Sequence, residues 1–175
     1  MASILILYAT TDGHTRTICQ RLQQSLQQDA HRITLLDVNQ AAGVDLAAFD
    51  KIVIGASIRY GEHSPLVVDF INRNASLLAE KPNAFFSVNA VARKPDKCQP
   101  DTNPYLKKFL KQIPWQPQHL AVFAGKINYP VYGFFDRQII RLIMWLTHGP
   151  TDTRKVVEFT DWQQVEKFAR RISAM

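Results

Sequence analysis

Thr10, Thr11, Asp12, Gly13, His14 and Thr15 follow directly on the apolar run Ile4-Leu5-Ile6-Leu7-Tyr8 and stand just before a helical pattern. Hydroxyls and a glycine between a strand and a helix start can hold an anion. The first N–H groups of a helix have no internal partner, and the helix dipole adds positive potential there. Threonine hydroxyls donate further hydrogen bonds, and glycine permits a close backbone approach. No Gly-Lys-Ser/Thr follows, so this is not a P-loop. One glycine is too few for the dinucleotide fingerprint. The same residues also suit an ordinary strand-to-helix turn in which threonines cap the helix.

An anion cradle needs rigid elements around it, and the first half of the chain supplies them by alternating two periodicities. Residues 3–8 read as a first strand and 14–28 as a helix, with Ile18, Leu22 and Leu26 four apart on one face. Further strands are expected at 32–38, 51–56, 83–88 and 119–124. A helix at 65–79 is opened by Pro65, and a last helix at 161–173 is capped by Asp161. In that last helix Trp162, Val165, Phe168, Ala169 and Ile172 face inward. Short apolar strands separated by helices indicate an α/β protein with a doubly wound parallel sheet. Five strands with an anion loop after the first suit the flavodoxin-like order 2-1-3-4-5. The whole chain, 1–175, reads as one domain.

Ligands of such sheets sit beyond the carboxyl ends of the strands. Two more loops therefore belong beside the cradle. After the third strand come Ser57, Ile58, Arg59, Tyr60 and Gly61. At the end of the fourth come Ser87, Val88 and Asn89. Tyr60 offers a face for stacking on a flat ring. Between Arg93 and Lys111 the six basic residues Arg93, Lys94, Lys97, Lys107, Lys108 and Lys111 face only Asp96 and Asp101. This run is either a solvated face or a funnel for an anionic substrate or lipid. Arg93 and Lys94 lie nearest the ligand end and are the candidates for carboxylate contacts.

After the fifth strand the chain spends about 25 residues, 126–150, before returning to the last helix, far more than an α/β connection needs. Asp136 to Thr147 reads as a helix. Ile139, Ile140, Ile143 and Leu146 share one side, Arg137 and Arg141 another, and Leu142 and Trp145 widen the apolar part. The helix is too short to span a bilayer, which takes about 20 apolar residues. It suits extra core, a pocket wall, a dimer contact or a membrane interface.

The 175 residues carry a formal net charge of +6, a pI near 9.5, and 46% hydrophobic against 21% charged residues. That composition is of a folded chain with a preference for acidic partners. The basic residues match no helix-turn-helix, RNP or zinc module, so nucleic-acid binding is not expected. The five histidines lack Cys/His/carboxylate partners at ligand spacing, so no metal site is expected either. No G-x-S-x-G elbow supports Ser-His-Asp catalysis. Cys19 and Cys98 form no C-x-x-C and no disulfide framework, which suits a reducing cytoplasm. No signal peptide is expected, since the chain enters a strand directly.

The loop from Thr10 to Thr15 resembles the FMN phosphate loop of flavodoxins. The strings Val53 to Gly61, Phe86 to Asn89, Val91 to Pro95 and Thr151 to Lys155 resemble the bacterial menaquinone-dependent protoporphyrinogen IX dehydrogenase family. So does the insertion, with Tyr129-Pro130 and Phe135-Asp136-Arg137. The resemblance covers essentially the whole chain. It implies an enzyme with one FMN that oxidises protoporphyrinogen IX to protoporphyrin IX in haem biosynthesis. Electrons would pass to a membrane quinone, menaquinone or ubiquinone, at the cytoplasmic face of the inner membrane. Residues 129–146 would make a peripheral membrane contact, and the chain could be oligomeric.

By that resemblance Thr10 to Thr15 hold the phosphate, Ser57 to Gly61 and Ser87 to Asn89 flank the ring, and Thr151, Asp152 and Thr153 return toward the same end. The flavin itself would be the hydride acceptor, so no catalytic side chain is expected. Asp12 departs from the flavodoxin loop, where threonine is common. A carboxylate beside a phosphate must point away or cap the helix. An NAD(P)H-fed quinone reductase, a flavodoxin-type electron carrier and a flavin-free adaptor share the same fold.

Overall fold

A computed structural model describes residues 1–175. The elements run β1 (Ser3–Ala9), α1 (His14–Gln28), β2 (Arg32–Asp37), β3 (Lys51–Arg59), β4 (Glu62–His63), α2 (Pro65–Glu80), β5 (Asn83–Asn89) and α3 (Pro104–Leu110). They continue through β6 (His119–Ala124), β7 (Lys126–Asn128), α4 (Phe134–Leu146), β8 (Val156–Glu158) and α5 (Trp162–Ala174).

The long strands pair in parallel in the order β2-β1-β3-β5-β6, which is the expected 2-1-3-4-5 once the short β4 is set aside. Alternate residues of each strand point to opposite faces. Leu5, Leu7, Ile52, Ile54 and Phe85 therefore pack toward Val67, Ile71, Leu106 and Phe109 of α2 and α3. Ile4, Ile6, Val53 and Phe86 pack toward Ile18, Leu22, Val165, Phe168 and Ile172 of α1 and α5. These central strands are buried on both sides, which is why they read as unbroken apolar runs. Each such side chain contributes about 1.5–3 kcal/mol by leaving water. Asp161 caps α5 as expected, accepting from the amides of Gln163 at 3.0 Å and Gln164 at 3.3 Å.

Three features near the carboxyl end of the sheet were not expected. The first is a hairpin: β4 pairs antiparallel with the end of β3 across Tyr60 and Gly61, both with positive φ, 50° and 81°. Two successive positive φ values describe the turn whose twist matches a hairpin, and Tyr60 is the unusual residue in it. The second is α3, opened by Pro104 and capped by Asn103, which accepts from the Leu106 amide at 3.1 Å. The third is the antiparallel pair β7–β8, which brackets the insertion and ties its two ends together. The insertion has its own small core of Ile127, Tyr129, Tyr132 and Met144. Tyr129 donates to the Pro150 carbonyl at 2.6 Å. Its helix α4 begins two residues before the expected start, at Phe134.

Candidate cofactor and substrate site

The loops after β1, β3 and β5 meet the insertion around a cleft of about 430 Å³. Thr10, Thr11, Asp12, His14 and Thr15 form its floor. Ser57 to Gly61 line one wall, and Val88 to Val91 line another with Tyr105. Gly125, Lys126 and Ile127 follow from the end of β6. Tyr132, Ile140, Ile143, Met144 and Thr147 close it from the insertion.

The floor carries the features an anion cradle would need. Gly13 adopts φ 86°, which side-chain-bearing residues rarely take, and begins α1 without contributing a side-chain cap. Its own amide donates to Thr10 Oγ1 at 2.9 Å. No side chain caps the first amides of α1. Thr15 is 0% exposed, and its hydroxyl has no partner in the protein. An unpaired buried hydroxyl costs about 1–3 kcal/mol. A phosphate oxygen in the cradle would satisfy it, so the donor set fits a phosphate monoester. The His14 ring is turned aside, hydrogen-bonded to Thr160 Oγ1 at 2.6 Å. Burial lowers its pKa and nearby Lys126 adds to that, against the raising effect of Glu158.

Asp12 lines the cleft floor and is paired there. Arg59 donates to Asp12 at 3.0 Å and to Asp136 of α4 at 2.8 Å. Tyr60 donates its hydroxyl to the same Asp136. These two bonds hold the Asp136 carboxyl below its ordinary pKa, while Tyr60 is raised by the bond to the carboxylate. Arg59 also lies over the rings of Tyr60 and Tyr132, 5.5 and 5.3 Å from their centroids. Burial opposes its charge, but Asp12 and Asp136 prevail and raise its pKa.

Behind the β5 wall lies a buried polar chain. His63 Nε2 is hydrogen-bonded to Ser87 Oγ at 2.8 Å, and Asn89 donates to the same oxygen at 3.2 Å. Asn89 Oδ1 accepts from the Ala92 amide at 3.0 Å and from Asn103 at 3.1 Å. Val88 and Asn89 line the cleft as expected, but Ser87 is fully buried and committed to His63. Burial pushes the His63 pKa down to about 4.

Arg93 is bonded within the protein. Its guanidinium donates to Ala90 O at 2.8 Å and to Thr147 O and Oγ1 at 2.9 Å each, and it rests against Phe159. It fastens the end of α4 to the loop after β5, and its bonding is spent there rather than offered at a rim. Lys94 lies outside the cleft lining, and so do Thr151, Asp152 and Thr153. Asp152 instead pairs with Arg154 and Lys155. These residues follow the cleft elements in sequence, but the β7–β8 pairing carries the chain past the site. Tyr105 and Lys126 were missed because each sits in an unexpected element, and Tyr132 because it lies in a bend of the insertion before α4. A signal for α3 was present in Asn103-Pro104 before Leu106, Phe109 and Leu110.

The faces of α4 also divide differently. Ile140, Ile143 and Met144 line the cleft, whereas Phe134, Phe135, Leu142, Trp145 and Leu146 point out. Phe135 is 80%, Trp145 67% and Leu142 55% exposed.

The flavodoxin domain family model matches residues 5–154. The chain is 44% identical over 169 residues to a protein of Escherichia coli K12 named protoporphyrinogen IX dehydrogenase (quinone), covering 97% of this chain and 93% of that one. A protein of Leishmania major with the same name is 44% identical over 172 residues, covering 98% of this chain and 74% of that one. Among solved structures, oxidised flavodoxin 1 of Bacillus cereus aligns with TM-score 0.57 at 12% identity, covering 98% and 97% of the two chains. A short-chain flavodoxin associated with a bacterial microcompartment gives 0.56 at 14%, covering 99% and 98%.

The buried His63 has a consequence for stability. Its folded pKa lies below the ordinary histidine value, so the unfolded chain binds the extra proton as pH falls from about 6.5 toward 4. Stability is fully present above that window and declines through it, by on the order of 3 kcal/mol at its lower end. Urea denaturation across this range should show a clearly shallower pH slope for His63→Gln than for the natural chain.

Proposed function

The chain belongs to the flavodoxin domain family and to the protoporphyrinogen IX dehydrogenase (quinone) group within it, and from that premise we propose that it oxidises protoporphyrinogen IX with bound FMN and passes the electrons to a membrane quinone, menaquinone or ubiquinone. The observation that carries this reading is the joining of two surfaces in one cleft. A polar cradle with the orphaned Thr15 hydroxyl opens directly onto the apolar side of α4, formed by Ile140, Ile143 and Met144. A phosphorylated flat cofactor suits the first surface and a large apolar ring suits the second.

The open amides from His14 onward and the Thr15 hydroxyl hold the phosphate. Residues 57–61 and 88–89 flank the ring, with Asn89 fixed by its buried partners. When bound, FMN supplies the two-electron acceptor that the side chains lack. The chain contributes position and exclusion of water: Ile140, Ile143, Met144 and Tyr132 cover the cleft, and Arg59 with Tyr60 pins that cover through Asp136. No side chain is assigned a proton transfer. His63, a base by type, is withdrawn into the Ser87 bond and kept neutral by burial.

The outward side of α4 supports a peripheral contact with the cytoplasmic face of the inner membrane. Val131, Phe134, Phe135, Leu142, Trp145 and Leu146 are exposed together, beside Arg141. Such an apolar and basic helix lies in an interface plane. No helix is long and apolar enough to cross a membrane. A lipid-soluble acceptor would meet the cleft from this side.

Two measurements test the reading. Under anaerobic conditions, the FMN-loaded protein should generate porphyrin fluorescence from protoporphyrinogen IX continuously only when a quinone analogue is present. Bound FMN without porphyrin formation would redirect the assignment to a quinone reductase or an electron carrier. Leu142→Asp with Trp145→Asp should lower binding to anionic lipid vesicles at least about tenfold, given the area each residue would bury. FMN affinity should be unchanged, and undiminished vesicle binding would remove the membrane role of α4.

A further inference from the structure

Lys126 is the first residue of β7, where the chain leaves the sheet and enters the insertion. It lines the main cleft and also a small polar recess formed by Asp12, Gly13, His14, Thr17 and Asn128 on the outer side of the cradle. It is half-buried and forms no ion pair. The carboxylate opposite it in the β7–β8 register, Glu158, accepts instead from the Trp162 indole at 2.8 Å.

The charges around the cradle do not balance without Lys126. Asp12 and Asp136 contribute two negative charges, and the one guanidinium of Arg59 is shared between them. Glu158, close enough to raise the His14 pKa, adds a third, so two negative charges are left over. His14 adds nothing, because burial and the nearby Lys126 both favour its neutral form. A phosphate entering here would meet a net repulsive site. The ammonium of Lys126 offsets part of that surplus and is the cation lining both the cleft and the recess. The buried, unpartnered Thr15 hydroxyl independently points to an anion at this spot.

We infer that Lys126 is the phosphate-recognising cation of the cradle, so that the insertion itself selects a phosphorylated flavin over an unphosphorylated one. The inference rests on the flavin reading of the cleft. The insertion then serves two purposes, since its first strand reads the cofactor while α4 covers the substrate space. A flexible ammonium suits this position, since it meets phosphate as a point charge without demanding paired geometry.

Fluorescence-quenching titrations of the full chain, freed of flavin, with FMN and with riboflavin test it. Lys126→Gln should weaken FMN about tenfold or more, the loss of one charge-assisted bond, and leave riboflavin affinity in place. The salt dependence of FMN binding should become shallower, and Lys126→Arg should restore most of the affinity. Lys111→Gln, an exposed change of equal charge away from the cleft, should leave FMN affinity unaltered. Equal losses for both flavins, or no loss for FMN, would overturn the inference. So would a variant with unaltered flavin binding but a raised KM for protoporphyrinogen IX, which would place the ammonium at a propionate instead. A natural chain that binds neither flavin would overturn the flavin reading together with it.

Discussion

One guanidinium holds the parts of this site together. Arg59 ends β3, and from there it reaches Asp12 in the loop before α1 and Asp136 in the first turn of α4. It thereby fixes the floor, one wall and the cover of the cleft relative to each other. Partly shielded ion pairs of this kind are worth more than exposed ones, because water screens them less. Asp12 lines the cradle floor, and its pairing with Arg59 offsets part of its charge there. The Tyr60–Gly61 turn is strained at Tyr60, and the hydroxyl bond to Asp136 helps hold that ring in place.

The division of labour follows the chain. The doubly wound sheet brings the ends of β1, β3 and β5 to one edge, as any sheet of this order does, and leaves a helix start free for an anion. That much is shared with flavodoxins of low sequence identity. The rest of the cleft comes from the segment between β6 and α5. The β7–β8 pair closes the base of the insertion, Tyr129 and Tyr132 give it a core, and Arg93 fastens its far end at Thr147. The added helix is apolar on two sides because it has two apolar environments to face: the cleft within, and the proposed lipid surface without.

Much of the fold was legible because the central strands are buried on both faces. Ile4 to Leu7, Ile52 to Ile54 and Ala84 to Phe86 read as strands, and Gly13 and Pro65 by their backbone and Asp161 by its side chain mark helix starts. The turn from Thr10 to Thr15 before α1 was legible by the same local signals. The rest depends on tertiary contact. Nothing local in Arg93 reveals that its donors are used by Ala90 and Thr147. The two apolar sides of α4 look alike in sequence, so only packing separates Ile140 from Leu142. Ser87 reads as a polar wall residue until His63, from a hairpin too short to be seen, takes its hydroxyl. Lys126 was hidden in a strand of three residues whose partner lies across the whole insertion.

The central claim is that the loop from Thr10 to Thr15 receives a flavin phosphate on the bare start of α1. Its most direct test is the FMN dissociation constant of the natural chain beside that of Gly13→Val. Valine is strained at φ 86° and should rotate the first amides of α1 out of the cradle. The account predicts one tightly bound FMN for the natural chain and little retention by the variant while its far-UV spectrum stays native. Equal affinity in the two proteins would contradict it, because the phosphate would then be held somewhere other than this helix start.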